Sequence, residues 1–291
     1  MVDFAIIGVQ KSGTTSLHRR LEGHPRLYMP GGEYAGLEHA IENGKRRVKR
    51  LEHEMTLLGR QAAANPESTI GFKRPNLFTR PDVLGLLVET FPKIKFVVSL
   101  RDPKQRTVAA YFHYVRGGLV QPQPVAVGIR AALRQHERNA GGRAKEIISL
   151  SLYGTHFAKV VEVVGRDRIL FQDYAAALTL EGTTRVLEHI GLDPAAWKEP
   201  EEIRSARILP QKVNYSLTSL RLRKFVDGAK DRLSEDDRKE LGRIANLAFV
   251  ESGQSQPELP VDLDDELTAL FAPEIESLEK LLERKFSSWK K

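Results

Sequence analysis

Between Gly8 and Gly13 the chain places Gln10, Lys11 and Ser12, and directly after Gly13 come three hydroxyl residues, Thr14, Thr15 and Ser16. A mobile cation, a row of hydroxyl donors and two glycines that let backbone approach a ligand are the chemistry of anion binding. The flanking elements must position that run. Phe4-Ala5-Ile6-Ile7 is a continuous apolar stretch of the length of a short buried strand. A helix is expected from about Thr14 to Glu22, ending at the breaker cluster Gly23-His24-Pro25. Strand, loop and helix N-terminus then aim backbone N–H groups at one point. The bound group should be a phosphate or something of its shape.

The run is not an ordinary ATP loop. The Walker pattern G-x-x-x-x-G-K-[ST] needs Lys directly after its second Gly. Gly8 and Gly13 keep that spacing, but Thr14 follows Gly13 and the lysine stands at position 11. Its ammonium is thereby moved toward the 5′ end of a nucleotide. The stretch Gly8-Val9-Gln10-Lys11-Ser12-Gly13-Thr14-Thr15-Ser16-Leu17 resembles the 5′-phosphosulfate loop of sulfotransferases that use 3′-phosphoadenosine 5′-phosphosulfate (PAPS). The likeness is to the heparan-sulfate N-sulfotransferase and bacterial branches.

A second signal follows the apolar strand expected at Lys95–Leu100, which runs into Arg101-Asp102-Pro103. In P-loop NTPases a comparable strand ends in an Asp serving Mg²⁺. Here an Arg comes first, and its planar fork suits a phosphate. The segment Phe96 to Arg106 resembles the 3′-phosphate motif of the same family, which implies that Arg101 holds the 3′-phosphate. Arg106 is expected to pair with acidic neighbours. A Ser common in the family about eight residues beyond the Arg is replaced by Ala109-Ala110. One hydrogen bond to a charged group, worth about 1.5–3 kcal/mol, is therefore missing or supplied elsewhere.

The resemblance implies further roles. Lys11, helped by Ser12 and the loop N–H groups, would stabilise charge growing on the leaving oxygen. A general base would take the acceptor's proton. Glu33, after His24-Pro25 and Gly32, matches the family glutamate, although Gly32 stands in place of its lysine partner; His39 and Glu38 compete. Lys73, in Gly71-Phe72-Lys73-Arg74-Pro75, matches a family lysine that would orient the sulfonate or the acceptor. Leu152 to Phe157 and Arg168 to Tyr174 fit a helix and strand of the family, with Gln172 where Glu is common. Arg207 and Lys212 fall where relatives place a late basic loop over the nucleotide. PAPS would be the cosubstrate and 3′,5′-adenosine diphosphate the product, with no metal required.

The rest of the chain sets limits. Its 291 residues are 41% hydrophobic, enough for one large core or two modest ones. Cysteine is absent, so thiolate chemistry and disulfides are excluded. No stretch reaches the roughly 18 apolar residues of a membrane span, and no secretory leader pattern opens the sequence; a cytoplasmic enzyme without stable membrane insertion is expected. The formal charge of +7 suits an anionic ligand. The main basic cluster, Lys45 to Arg50, alternates with acids at helical spacing and reads as a solvated face of a helix over Glu38–Leu58, so no nucleic-acid partner is expected.

Strands are expected at Leu27–Met29, Thr69–Lys73 and Arg168–Phe171, and helices at Pro81–Phe91, after Pro103, at Val125–Arg138, Ile147–Val164 and Glu181–Ile190. A polar stretch over Glu199–Asn214, a helix from Ser234 to Phe249, a linker over Gln254–Pro260 and a helical segment from Asp264 to Phe286, interrupted at Pro273, complete the chain. This alternation predicts an α/β fold with a P-loop-like central parallel sheet flanked by helices and a helical C-terminal portion. One domain, 1–291, is expected: a nucleotide-binding core over 1–215 and a helical extension over 216–291. The acceptor would be a carbohydrate or small molecule, chosen by loops near Glu33–Ala40 and Gly117–Pro124. The alternatives are a P-loop small-molecule kinase using ATP and Mg²⁺, or a non-enzymatic basic protein that binds nucleotide or nucleic acid. Oligomeric state is not legible.

Overall fold

The computed structural model of the chain describes residues 2–34, 53, 56, 59–60, 67–117, 119–120, 123–139, 142–200, 234 and 258–290. Five parallel strands form one sheet in the order β2-β3-β1-β4-β5. They are β1 Phe4–Gly8, β2 Leu27–Tyr28, β3 Thr69–Lys73, β4 Lys95–Leu100 and β5 Ile169–Asp173. Every residue of β1 is buried, as its unbroken apolar run requires in a parallel sheet covered on both faces.

One face is covered by α1 (Thr14–Leu21) and a later helix over Leu180–Ile190. There Phe4, Ile6 and Val97 pack with Leu17, Leu21, Val186, Leu187 and Ile190. On the other face lie α2 (Pro81–Thr90) and a helix over Tyr153–Val164. Phe157 of the latter meets Phe171 of β5 edge to face at 4.2 Å, and Val163 lies 3.3 Å from the position a Cβ would take at Gly85 of α2. The architecture is a central parallel sheet flanked by helices.

Helix ends follow local chemistry. Pro81 opens α2, and Thr179 caps the Leu180–Ile190 helix by accepting from the Gly182 N–H at 3.1 Å. Gly191, at φ 84°, closes that helix in the left-handed conformation glycine tolerates.

The chain divides into two compact units: Met1–Arg101 with Tyr153–Ser205 and Ser277–Arg284, and Asp102–Leu152 with Ala206–Glu276 and Lys285–Lys291. The first holds the whole sheet. The second contains α3 (Pro103–Arg116), α4 (Val125–Glu137), α5 (Glu146–Ser149) and most of the long helix Val261–Leu282. In chain order the helices over Tyr153–Val164, Leu180–Ile190 and Val261–Leu282 are α6, α7 and α8. Within the second unit, Lys104 Nζ donates to Asp264 at 2.7 Å and to Thr268 at 3.0 Å, while Arg130 donates to Asp262 and Glu266. These contacts hold the acidic first turns of α8.

Two elements differ from the sequence reading. The single helix expected over Ile147–Val164 is two, α5 and α6, separated at Leu150–Leu152. Ser151 bonds there to the Pro103 carbonyl and the Thr107 hydroxyl, and such side-chain bonds compete with helix propagation. Pro273 does not interrupt α8. It is exposed, as is Ala269, whose carbonyl it leaves unbonded, so water can serve that carbonyl while Leu267, Phe271 and Ile275 stay buried. The helix expected over Glu38–Leu58, apart from single positions, and the one from Ser234 to Phe249 lie outside the described residues.

Candidate functional site

The loop after β1 is held from beneath by β4. The Val9 N–H donates to the Ser99 carbonyl at 2.9 Å, and Ser99 Oγ donates to the Ser12 carbonyl at 2.6 Å. Ser12 N–H closes the turn on the Val9 carbonyl at 3.1 Å. Lys11 and Gly13 both turn through the left-handed region, at φ 70° and 79°. For Lys11 that costs about 1–2 kcal/mol, and such departures concentrate at ligand-holding sites. Gly8 has no room for a side chain: a Cβ there would lie 2.8 Å from that of Phe78.

Gly13 is the N-cap of α1 and offers no capping side chain, so the helix's first N–H groups are left for another acceptor. Ser12 is fully buried, and its Oγ has no hydrogen-bond partner among the described residues. Buried hydroxyls are seldom left so. A bare helix end, an unpartnered buried donor and a lysine form a donor set that fits a phosphate-like anion.

The ends of β1 and β3 bring a second group together. Arg74 N–H donates to the Ile6 carbonyl at 2.9 Å, and Tyr34 N–H to the Lys73 carbonyl at 2.9 Å, which draws the Glu33 segment alongside the end of β3. Arg74 Nη1 then pairs with Glu33 at 3.0 Å, with the carboxylate side chain 42% exposed. Lys73 is 2% exposed, and its Nζ donates to Thr15 Oγ1, in the first turn of α1, at 2.9 Å. Burial lowers the Lys73 pKa, the Glu33 carboxylate opposes that shift, and Arg19 adds to it.

His18 follows Thr15 by three positions and so shares its side of α1. Burial, then Lys73 and Arg19, lower its pKa to about 4. His18 is therefore neutral at pH 7. Its Nε2 stands 3.4 Å from Glu22 yet makes no hydrogen bond, so this contact is no ion pair at neutral pH.

Arg101 leaves the carboxyl end of β4, and its guanidinium lies over the Tyr174 ring, 4.8 Å from the centroid. Its carbonyl accepts from Tyr153 at 2.9 Å. Asp102 caps α3 by accepting from the Gln105 N–H at 2.9 Å. Among the described residues no group of three or more His, Asp or Glu is placed to hold a metal ion, and no helix is long and apolar enough to cross a membrane.

A family model described as the sulfotransferase family matches residues 3–145, the span that holds β1 to β4 and the loop. Over residues 3–145 the chain matches the sulfotransferase family. A solved sulfotransferase from Alicyclobacillus acidocaldarius is similar over 100% of this chain and 99% of its own, at 19% identity and TM-score 0.66. A sulfotransferase domain from the curacin biosynthetic pathway aligns over 93% of this chain and 97% of its own, at 12% identity and TM-score 0.46. No curated protein matches the chain.

On this sulfotransferase fold the expected residues fall as follows. Gln10 to Ser16 form the loop and the start of α1, with Lys73 bonded to Thr15. Glu33 and Arg101 stand at strand ends of the same unit. Ala109 is half-buried on α3, and the nearby Thr107 hydroxyl donates to the Pro103 carbonyl at 2.8 Å. The Arg106 guanidinium donates to backbone carbonyls, those of Ile147 at 2.7 Å and Glu146 at 3.3 Å. The Glu146 carbonyl accepts from the Leu150 N–H as well, at 3.3 Å. Glu38, His39, Arg207 and Lys212 lie outside the described residues.

Sequence reasoning missed Arg74 as the partner of Glu33, His18 and Tyr174. It also passed over Ser99, although a Ser inside the apolar run Phe96–Leu100 was a signal. Nothing local marks Tyr174.

Proposed function

We propose that this chain moves a sulfuryl group from PAPS to a hydroxyl or amine of a carbohydrate or small-molecule acceptor, releasing 3′,5′-adenosine diphosphate. The observation that carries this reading is the loop itself. Its displaced Lys11, buried Ser12 hydroxyl and uncapped helix N-terminus follow one another on a single turn and are the donor types that a 5′-phosphosulfate needs. Bound PAPS supplies the activated sulfuryl group; the chain supplies position and charge. Lys11, Ser12 and the loop N–H groups stabilise negative charge on the leaving oxygen. Lys73, next to Thr15 at the start of α1, presents a second cation to the sulfonate. Arg101, on its Tyr174 platform, takes the 3′-phosphate.

Glu33 is the general base, accepting the acceptor's proton at a carboxylate oxygen as the new bond to sulfur forms. Its pairing with Arg74 keeps the side chain oriented at the ends of β1 and β3. His39 is the competing base. A kinase reading would ask Asp102 to serve Mg²⁺, but its carboxylate already caps α3.

Thermal unfolding with 3′,5′-adenosine diphosphate, against ATP with Mg²⁺, tests the proposal. A ligand at 100 times its Kd adds about 2.7 kcal/mol to stability. Preferential stabilisation by the diphosphate supports PAPS use, and an ATP–Mg²⁺ preference refutes it. Incubation with labelled PAPS and a panel of host extracts then reads out the acceptor.

A further inference from the structure

We propose that Tyr174 is a positioning residue whose ring sets the separation of the two anion-binding groups, so that the chain selects a nucleotide phosphorylated at both its 3′ and 5′ positions. The inference rests on the PAPS reading of the loop and of Arg101, and adds to it a residue outside both motifs.

Three contacts place the ring. Its edge covers Gly13: a Cβ built there would lie 2.6 Å from Tyr174 Cδ2 and 2.7 Å from Cε2. Its face carries the Arg101 guanidinium at 4.8 Å. Its own N–H donates to the Leu100 carbonyl at 2.5 Å, so the residue is pinned to the last position of β4, directly before Arg101. Asp173 holds the following turn by accepting from the Ala175 N–H at 2.9 Å. One rigid ring thus touches the loop that would take the 5′ end and the cation that would take the 3′ end.

The physical consequence is pre-organisation. An arginine on a strand end is free in many rotamers, and it could follow a phosphate to many positions within reach. Stacking on a fixed ring removes that freedom before a ligand arrives, so less ordering is left to oppose binding. A linear triphosphate carries its charges in a row from the 5′ carbon and engages the loop alone. A ribose phosphorylated at 3′ and 5′ presents two charges at a fixed distance, which the ring matches. Gly13 serves the same end: at φ 79° and against the ring, no side chain fits there.

The test is binding of 3′,5′-adenosine diphosphate and of adenosine 5′-monophosphate, by calorimetry, to the full chain and to its Tyr174→Leu, Tyr174→Phe, Arg101→Ala and doubly substituted variants. Thermal melts verify folding, and Tyr174→Met, which fills the space with a flexible chain, stands in if the leucine variant does not fold. Tyr174→Leu is expected to weaken the diphosphate about tenfold, about 1.4 kcal/mol, through loss of the cation–π contact, and the monophosphate less than about twofold. Tyr174→Phe keeps the ring and should restore wild-type binding. In the Arg101→Ala background the leucine substitution should change nothing further. Equal losses for both nucleotides, or an undiminished effect without Arg101, would overturn the inference by making Tyr174 a prop of the loop. A wild-type chain that binds the two nucleotides equally would instead overturn the reading of Arg101 beneath it.

Discussion

Replacing Lys73 with methionine should make the protein more stable and nearly inactive. The residue is 2% exposed, and burial lowers its pKa, with Glu33 opposing and Arg19 reinforcing the shift. Unfolded, the lysine keeps its proton up to the ordinary 10.5; folded, it gives the proton up at lower pH. Between those two points the unfolded state binds more protons, so stability rises with pH through that window. Below that window the cost of burying the charge is fully present. Exchanging a buried ion for an apolar group of like volume is neutral or stabilising by about 1–4 kcal/mol. Against that stands the charge-assisted bond to Thr15, worth about 1.5 kcal/mol, the low end for a charged group because Thr15 is exposed. Thr15 is exposed, so water takes the place of the lost partner.

The net gain should be about 1–2 kcal/mol at pH 7, a rise in Tm of roughly 2–3 °C for a chain of this size. It should shrink as pH approaches 10.5, because the wild type is relieved there and the variant has nothing to titrate. Transfer from labelled PAPS should fall by about 10²–10³, the scale seen when one preorganised donor is removed. Thermal melts at pH 7 and pH 10 with a single-turnover assay give all three quantities. A variant that melts several degrees below wild type at pH 7 would make the ammonium a structural tie. Unchanged turnover would remove Lys73 from the site.

Lys11→Gly should raise stability by about 1 kcal/mol, because glycine occupies φ 70° without strain, yet lower turnover by about 10² or more; denaturant titration and the transfer assay read the two effects. Glu33→Gln should slow transfer by about 10²–10⁴ and alter stability by less than about 1 kcal/mol, since its pair with Arg74 is partly exposed. A near-normal rate at neutral pH would give the base role to His39. His18, held near pKa 4 against an ordinary 6.5, takes up its proton in the unfolded chain first, so stability should fall by up to about 3 kcal/mol as pH drops from 6.5 to 4. In His18→Leu that acid loss should flatten, which urea unfolding at pH 7 and pH 4.5 measures.

Local order determined much of this protein in advance. A strand buried on both faces needs an apolar run, and Phe4–Ile7 and Phe96–Val98 have it; a helix needs a start and a stop, and Pro81, Thr179 and Gly191 supply them. The turn between β1 and α1 was legible for the same reason, since its glycines, lysine and hydroxyls follow directly on an apolar strand. The alternation of elements was enough to expect a parallel sheet with its ligand at the strands' carboxyl ends.

Only the tertiary structure decided which distant residues meet. Arg74 reaches Glu33 because β3 bonds at once to β1 and to the backbone at Tyr34, and no spacing in the sequence encodes that closure. The neutrality of His18 is set by burial beside Lys73, a lysine 55 positions away in the chain. Tyr174 joins the loop to Arg101 because β5 pairs with β4, which brings its ring to Gly13 across 161 residues of sequence. Backbone propensity acts over a few residues and can be read along the chain, whereas burial and charge act through space, where only the packed fold sets the distances.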